Sequence, residues 1–514
     1  MKLKIKFFGI ETGGKPIVVL NKDDAEDLGI RSQNRVRITY NKKSLNCIVN
    51  TTKKIVGKGT VGVYEEVRNA LNLKEKDEVD VDIAKFPSSL SFIKNKLMGR
   101  KLNYEEINEI VQDVVGGNLN EIEIAAFITA LNDRGLDLDE AASLSVSMVN
   151  SGEILKLNKK LIVDKHSIGG VPGDKTTLIA VPIIAACGLT IPKTSSRAIT
   201  SAAGTADRAE VLMPVELEIC EMKKVVEKAN GCIVWGGSLN LAPADDIFIQ
   251  VEYPLSIDPM MLPSIMSKKK AVGANHLVID IPTGRGTKIK TIGDAHLLAK
   301  DFIELGDRLG IKARCVVTFG EQPVGHCVGA GLEAKEALEI LMRKKFIPDV
   351  VDKATHVAGA LLEMVGKKNG QQIALDCLRK GKAEEKLREI ISLQGGDSEI
   401  KPEDIKIGDY GFDVCAEKNG YVLWINNSQI ASLGRAAGSP RYKGAGLCLY
   451  KKLGDRVKKG EKLFTVYAEK STKLQGVQKI IAEDTIVGVG ERMEMLIDIV
   501  KEIPAHKKAF ILER

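Results

Sequence analysis

Hydrophobic and polar positions alternate with period two at the start of the chain. Leu3 and Ile5 sit between Lys2, Lys4 and Lys6, and the same rhythm returns in Arg35-Val36-Arg37-Ile38 and Glu78-Val79-Asp80-Val81. Such alternation places the apolar side chains on one face of a sheet. The pattern also repeats: Leu28-Gly29-Ile30 with Val36 and Ile38 recurs 43 positions later as Leu71-Asn72-Leu73 with Val79 and Val81. In both copies a short acidic helix precedes the turn, and a polar loop and a strand follow it. Two β-rich halves predict a small pseudo-symmetric β-barrel over residues 1–84.

From about Ser89 to Asn150 the period lengthens. Ile107, Ile110, Val111 and Val114, then Ile122, Ile124, Phe127 and Leu131, recur at a spacing of three to four, the stripe of an amphipathic helix. Gly116-Gly117 separates two such helices. From Leu161 onwards short apolar runs (Leu161-Ile162-Val163, Leu277 to Ile281, Ala313 to Thr318) alternate with helical segments such as Leu178 to Cys187, which is the signature of an α/β domain. A second helical stretch, Ala242 to Ala271, interrupts that domain. The charged run Lys380 to Lys401 reads as a surface helix and connection. Beyond it the pattern is β-rich, in Gly420 to Trp424, Leu447 to Tyr450 and Lys462 to Tyr467. The turn Gly454 to Gly460 resembles that of a biotinyl or lipoyl hammerhead. No acceptor lysine sits in a matching hairpin, so a structural barrel-sandwich is expected.

The predicted fold class is therefore α/β plus α+β, multidomain. It comprises an N-terminal β-barrel (1–84), a helical domain (85–155 and about 240–272), a central α/β domain with a mixed sheet (156–239 and about 273–400), and a C-terminal β-rich, barrel-sandwich-like domain (401–514).

Composition removes several function classes. Aromatic residues are 4%, too few for stacking platforms that hold single-stranded nucleic acid. The formal charge of +7 comes from 75 basic and 68 acidic residues that are well interspersed, a mild bias towards anionic ligands without a basic arm for nucleic acid. The longest apolar stretch, Leu178 to Pro192, is too short to span a bilayer and is broken by proline. Met1 to Lys6 reads as a strand rather than a signal peptide, so a cytoplasmic protein is expected. Cysteines at 47, 187, 220, 232, 315, 327, 377, 415 and 448 form no C-x-x-C pair and are odd in number. Buried reduced thiols and no metal site are the expectation.

Chemistry concentrates in four segments. The first, Asp164-Lys165-His166-Ser167-Ile168-Gly169-Gly170-Val171-Pro172-Gly173-Asp174-Lys175-Thr176-Thr177, links an apolar strand to an apolar helix. A glycine-rich turn there lets backbone N–H groups approach an anion closely. Lys165, His166, Ser167, Thr176 and Thr177 add donors at both ends. The P-loop and dinucleotide spacings both fail, so the loop points to phosphate without pointing to ATP or NAD. The second segment, Thr194 to Asp207, is dense in hydroxyls and small residues, and Arg197 adds a planar charged fork. In the third, Ser264 and Lys268 share one face of a helix starting near Leu262. Asp258 lies just before that helix, as a cap or as a ligand contact. Lys269 and Lys270 read as solvated or helix-terminal charges. The fourth, Pro282-Thr283-Gly284-Arg285-Gly286-Thr287-Lys288, is a glycine turn with cations suited to a second phosphate.

Together these segments resemble the thymidine and pyrimidine-nucleoside phosphorylase family from about residue 90 to near the C-terminus. Lys165-His166-Ser167-x-Gly169-Gly170-Val171 with Gly173-Asp174 looks like its phosphate loop. Ser195-x-Arg197 with Gly204-Thr205 and Asp207 resembles its second phosphate segment, and Ser264-x-x-x-Lys268 its base-contacting pair. Three departures stand out: Pro172 is inserted, no arginine occurs between Trp235 and Pro259, and the barrel, itself similar to double-psi barrels, is extra. These departures, with Ser196-Arg197-Ala198-Ile199-Thr200-Ser201 and Leu255 to Pro259, are features of the archaeal AMP phosphorylase branch.

The resemblance implies phosphorolysis of nucleoside 5′-monophosphates, AMP and phosphate giving adenine and ribose 1,5-bisphosphate in nucleotide salvage. It implies no cofactor, inorganic phosphate as co-substrate, and a homodimer or larger homo-oligomer. Phosphate would be held by Lys165, Ser167, Gly169, Gly170, Thr177, Ser195 and Thr205. AMP would be held by Gly169, Ser196, Arg197, Ala198, Ile199, Thr200, Ser201, Thr205, Ser264, Lys268, Arg285 and Lys288. Asp258 is the implied general acid, with His166 its competitor for that role. Pyrimidine-nucleoside phosphorolysis is the nearest alternative. A phosphoribosyltransferase and a non-catalytic nucleotide sensor stand behind it.

Overall fold

The computed structural model describes residues 1–198 and 201–491. Ile199 and Thr200, expected at the nucleotide site, lie outside the described residues.

The first unit is a closed six-stranded barrel. Its elements are β1 (Lys2–Phe7), β2 (Ile17–Asn21), α1 (Lys22–Asp27), β3 (Arg35–Tyr40), β4 (Lys43–Thr52), β5 (Thr60–Val63), α2 (Glu65–Leu71) and β6 (Glu78–Ile83). The strand order is β1-β5-β2-β4-β3-β6. The period-two positions Leu3, Ile5, Val36, Ile38, Val79 and Val81 all turn into one core.

Four helices follow: α3 (Ser89–Leu97), α4 (Tyr104–Val115), α5 (Glu121–Arg134) and α6 (Leu138–Asn150). The last three each open with a reciprocal capping box, Asn103 with Glu106, Asn120 with Glu123 and Asp137 with Glu140. Each cap contributes on the order of 1 kcal/mol to helix stability. Ile107, Ile110, Val111 and Val114 are buried as the stripe predicts, but Ile122 is 74% exposed. It stands at the second position of α5, before the apolar face has formed. Glu140 doubles as the partner of buried Lys96 at 2.7 Å, which ties α6 to α3.

The α/β unit runs through β7 (Val163–Ser167), α7 (Thr176–Ala186), β8 (Ile191–Ser195), α8 (Thr205–Ala209), α9 (Ile219–Ala229) and β9 (Gly231–Trp235). Helices α10 (Pro243–Leu255) and α11 (Met261–Ala271) then intervene, and Phe248 and Met260 join the core of α3 to α6. The chain returns through β10 (His276–Thr283), α12 (Ile292–Leu309), β11 (Lys312–Phe319), β12 (Cys327–Val328), α13 (Ala330–Leu341), α14 (Pro348–Met364), α15 (Gly370–Arg379) and α16 (Lys382–Leu393). Helix α7 is buried on every side from Thr176 to Ala185, as an apolar helix without a polar face must be. The expected mixed sheet is corrected: β11-β10-β7 and β8-β9 pair only in parallel. Helical crossovers between successive strands impose that direction.

The last unit contains β13 (Tyr410–Cys415), β14 (Gly420–Ile425), α17 (Asn427–Ala437), β15 (Gly446–Leu449), β16 (Arg456–Val457), β17 (Lys462–Ala468), α18 (Lys473–Glu483) and β18 (Val487–Gly490). Strand β12 pairs antiparallel with β15, so the third unit lends a strand to the fourth. Cys327 and Cys448 face each other in that register and form a disulfide, which corrects the expectation of uniformly reduced thiols. Cys220 and Cys415 are exposed rather than buried. Among the described residues, no helix is long and apolar enough to cross a membrane.

Candidate functional site

The loop after β7 and the loop after β8 are the two glycine- and hydroxyl-rich segments, and both leave the carboxyl ends of parallel strands. Ligands of open parallel sheets collect at that edge. Gly169 and Gly170 adopt φ of +80° and +91°, which glycine alone takes without strain. Gly173 has φ +75° and lies so close to the loop before β12 that a Cβ would stand 2.6 Å from the Val324 carbonyl oxygen. Lys175 fixes that contact. Its Nζ donates to the carbonyls of Val324 at 2.9 Å and Cys327 at 3.0 Å, and pairs with Glu336.

Beneath the first loop lies a buried charge network. Lys353 bridges Asp174 at 3.1 Å and Asp280 at 2.8 Å, and Lys269 pairs with Asp164 at 2.7 Å. Lys269, expected to be solvated, is thus corrected: it is 2% exposed. Its partner Asp164 lies on β7, so the ion pair joins α11 to that strand. The three acids around Lys165 are each held by another lysine, which leaves its ammonium to an incoming anion. Burial lowers the Lys165 pKa, and Asp174 and Asp280 oppose that shift. An arriving phosphate supplies the missing counter-charge.

Two buried hydroxyls, Thr176 Oγ and Ser195 Oγ, have no hydrogen-bond partner. A buried polar group left unpaired costs on the order of 1–3 kcal/mol, so these oxygens suit a ligand. Thr177 is buried beside Thr176, and Ser167 is partly exposed. His166 is held well below its usual pKa, first by burial and then by Lys269, Lys193, Lys165 and Lys268. It is a neutral imidazole at neutral pH.

The second loop is folded by Asp207. Its Oδ2 accepts from Ala198 N–H at 2.7 Å and Gly204 N–H at 2.8 Å. Gly204 is required there, because a Cβ would lie 2.5 Å from the Ser196 carbonyl oxygen. The Arg197 fork is not free. It pairs with Asp207, Glu210 and Glu216 at 3.2, 2.6 and 2.7 Å and stacks 4.9 Å over Trp235. Its guanidinium shapes the loop, and of the phosphate or carboxylate that such a fork suits it holds carboxylates. Thr205 Oγ accepts from Arg208 at 3.3 Å, and Ser201 Oγ donates to the Ala203 carbonyl.

On the helical side, Ser264 and Lys268 converge on buried Asp245. Ser264 Oγ donates at 2.9 Å and Lys268 Nζ pairs at 2.6 Å. The carboxylates of Asp245 and Asp246 hold the Lys268 pKa up despite its burial. Asp258 caps no helix by its side chain, since the residue before α11 is Met260. Instead it pairs with Lys288 at 3.1 Å, both about half exposed. Lys288 belongs to the fourth segment, and a Cβ on Gly170 would stand 3.0 Å from its backbone nitrogen. Arg285 is exposed in the same turn, where its backbone N–H donates to Glu321 at 3.2 Å. The structure thus brings the first loop, the fourth segment and Asp258 into one contiguous edge.

Sequence motifs miss Lys193, Asp245, Glu252 and Lys353. Lys193 shares the β8 face of Ser195 by strand alternation, a signal present in the sequence. The others become visible only when distant elements meet.

Comparison with known proteins places this geometry. Residues 90–152 match the glycosyl transferase family helical bundle domain, and residues 159–384 match its a/b domain. Residues 421–486 match the pyrimidine nucleoside phosphorylase C-terminal domain. An AMP phosphorylase from Thermofilum pendens is 48% identical over 516 residues, spanning 100% of both chains. The chain belongs to the AMP phosphorylase family. A family member from Thermococcus kodakarensis is 49% identical over 92% of this chain and 95% of its own. Another, from Pyrococcus furiosus, is also 49% identical with the same coverage. Among solved structures, anthranilate phosphoribosyltransferase from Thermus thermophilus superposes with a TM-score of 0.51 at 20% identity. It covers 59% of this chain and 98% of its own, a likeness of fold alone.

Proposed function

We infer that this enzyme catalyses phosphorolysis of nucleoside 5′-monophosphates, converting AMP and phosphate to adenine and ribose 1,5-bisphosphate. The observation that carries the reading beyond family membership is the Lys288–Asp258 pair at the rim of the phosphate loop. It sets a candidate cation for a 5′-phosphate beside a candidate acid for the departing base. Nucleotide salvage is the setting, and inorganic phosphate is the only co-substrate the chemistry needs.

Breaking the C1′–N9 bond builds oxocarbenium character on the sugar and negative charge on the purine. Lys165, Ser167, Thr177, Ser195, Thr205 and the N–H groups of Gly169 and Gly170 hold the attacking phosphate. Orientation of this kind accounts for about 7 kcal/mol or more of barrier lowering in well-aligned cases. Ser196, Ala198 and Ser201 address the nucleotide, and Ser264 and Lys268 address the base. Arg285 and Lys288 take the 5′-phosphate. Asp258 delivers the proton to N7. A neutral His166 has no proton of that acidity to give, which favours the carboxyl. We also read the barrel as double-psi-like from its repeat, and the protein as a cytoplasmic homo-oligomer.

Chromatography of products from AMP, thymidine and uridine, each incubated with phosphate, tests this reading. Adenine and ribose 1,5-bisphosphate in equal amounts from AMP are the expected result. Faster cleavage of thymidine or uridine overturns it in favour of pyrimidine-nucleoside phosphorolysis.

A further inference from the structure

The segment Pro323 to Val328 lies between the glycine loop after β7 and the last unit, and it is held on both faces. On one face it grips the loop. Val324 N–H donates to the Pro172 carbonyl at 3.0 Å, and the fully buried Lys175 donates through Nζ to the carbonyls of Val324 at 2.9 Å and Cys327 at 3.0 Å. Glu336 of α13 pairs with Lys175 and accepts from the N–H groups of His326 at 3.2 Å and Cys327 at 3.3 Å. The contact has no slack. A Cβ on Gly325 would stand 2.6 Å from Lys175 Nζ, and one on Gly173 would stand 3.1 Å from the Cys327 carbonyl oxygen. Groups packed this closely pass a displacement on rather than absorb it. On the other face the last unit holds the segment. Lys452 Nζ donates to the Gly325 carbonyl at 2.7 Å, and Leu449 N–H donates to the His326 carbonyl at 2.8 Å. Cys327 is bonded to Cys448 across the β12–β15 pair, which adds a covalent tie to that grip. Both cysteines are half-buried, within reach of a small thiol.

We propose that the Cys327–Cys448 disulfide is a positioning element for the attacking phosphate, and that a dithiol reductant lowers phosphate affinity by opening it. This rests on the reading of Lys165 to Thr177 as the loop that holds that phosphate. The contacts run from Cys448 to Cys327, from the Cys327 carbonyl to Lys175 and Gly173, and so into the loop. Lys175 directly precedes Thr176, whose buried hydroxyl has no partner, and Thr177. With the bond closed, β12 is fixed against β15 and its carbonyl holds Lys175 in place. With the bond open, β12 is a two-residue strand that keeps its hydrogen bonds and loses its fixed position. A shift on the order of 1 Å in groups that orient a reactant is costly. Opening is a thiol–disulfide exchange. A thiolate of the dithiol attacks one cysteine sulfur, the S–S bond breaks and the other cysteine leaves as a thiolate. The second thiol of the reductant then closes its own disulfide. Two electrons and two protons pass from the dithiol to Cys327 and Cys448, which end as thiols. Asp258, Ser264 and Lys268 make none of these contacts, so AMP binding does not follow the change.

The test is steady-state kinetics of the full-length enzyme, oxidised and after anaerobic treatment with dithiothreitol, with phosphate and AMP varied in turn. Thiols are counted in parallel by maleimide labelling of the denatured protein and mass spectrometry. The chain has nine cysteines, seven of them free, so seven labels are expected before reduction and nine after it. Reduction is expected to raise KM for phosphate about threefold or more, with kcat and KM for AMP changed less than about twofold. Cys448→Ser is expected to show the raised KM without reductant and no further response to it. Cys415→Ser, which removes an exposed free thiol, is expected to respond as the wild type does. An unchanged KM for phosphate in enzyme carrying nine thiols overturns the proposal. An equal rise in both KM values, or a loss confined to melting temperature, also overturns it and marks the bond as a staple of the fold. So does a count of nine before treatment or of seven after it. Should Cys448→Ser fail to fold, reduction of the wild type decides alone. Lys165→Ala separates the two readings. If it leaves KM for phosphate unchanged, the reading of the loop fails; if it raises that KM while reduction does not, the disulfide proposal alone fails.

Discussion

The two ends of the site are built differently. The end proposed for the attacking phosphate is preformed: its glycines stand at the ends of parallel strands, its acids are buried and paired, and the buried hydroxyls of Ser195 and Thr176 have no hydrogen-bond partner. The end proposed for the nucleotide is half exposed, and its two charged groups, Asp258 and Lys288, neutralise each other. One end is a fixed anion cradle. The other has a partner to exchange. Attack requires a positioned phosphate at all times, whereas the acid is needed only once a nucleotide is bound.

A first way to break this comparison is Asp258→Asn. It is expected to lower kcat on AMP by about 10²–10⁴-fold with KM for phosphate unchanged, measured by steady-state kinetics. A matching rise in KM for phosphate merges the two ends into one. The rigidity of the cradle is tested next by Lys269→Met, which strands buried Asp164. Thermal and denaturant unfolding are expected to show a loss of about 3–5 kcal/mol, and a near-neutral result removes the paired network as the support of the loop. Lys165→Ala is expected to cut kcat/KM for phosphate by about 10²–10³-fold while the fold stays intact, because its ammonium is not part of the internal pairing.

The smallest of these effects concerns pH and stability. The folded His166 resists protonation, whereas the unfolded chain takes up a proton below about 6.5. Its stability contribution is therefore fully present above that value and is lost as pH falls through it, by up to about 1.4 kcal/mol per pH unit. His166→Gln is expected to flatten the fall in melting temperature between pH 6.5 and 5. An unchanged slope assigns the acid sensitivity to other groups.

Contiguity explains what was legible in the sequence. The strand, glycine turn and helix from Val163 to Ala186 were readable because they follow one another along the chain. The α4 stripe and the barrel repeat were readable for the same reason. Lys269 was misread because its partner Asp164 is 105 residues away, and a lysine near a helix end ordinarily faces water. Lys353 and Asp174 lie 179 apart, and the Cys327–Cys448 pair spans 121. No spacing rule reaches such distances. The position of Arg197 in its motif was plain, but its partners Glu210 and Glu216 stand 13 and 19 residues further on, outside the motif.

The most direct test of the central claim, that attacking phosphate and nucleotide phosphate are met by different glycine turns, is Lys288→Ala assayed on AMP and on adenosine with phosphate varied. The account predicts a KM for AMP raised by about tenfold or more, a much smaller change for adenosine and an unchanged KM for phosphate. Equal losses on AMP and adenosine, or a parallel rise in KM for phosphate, contradict it.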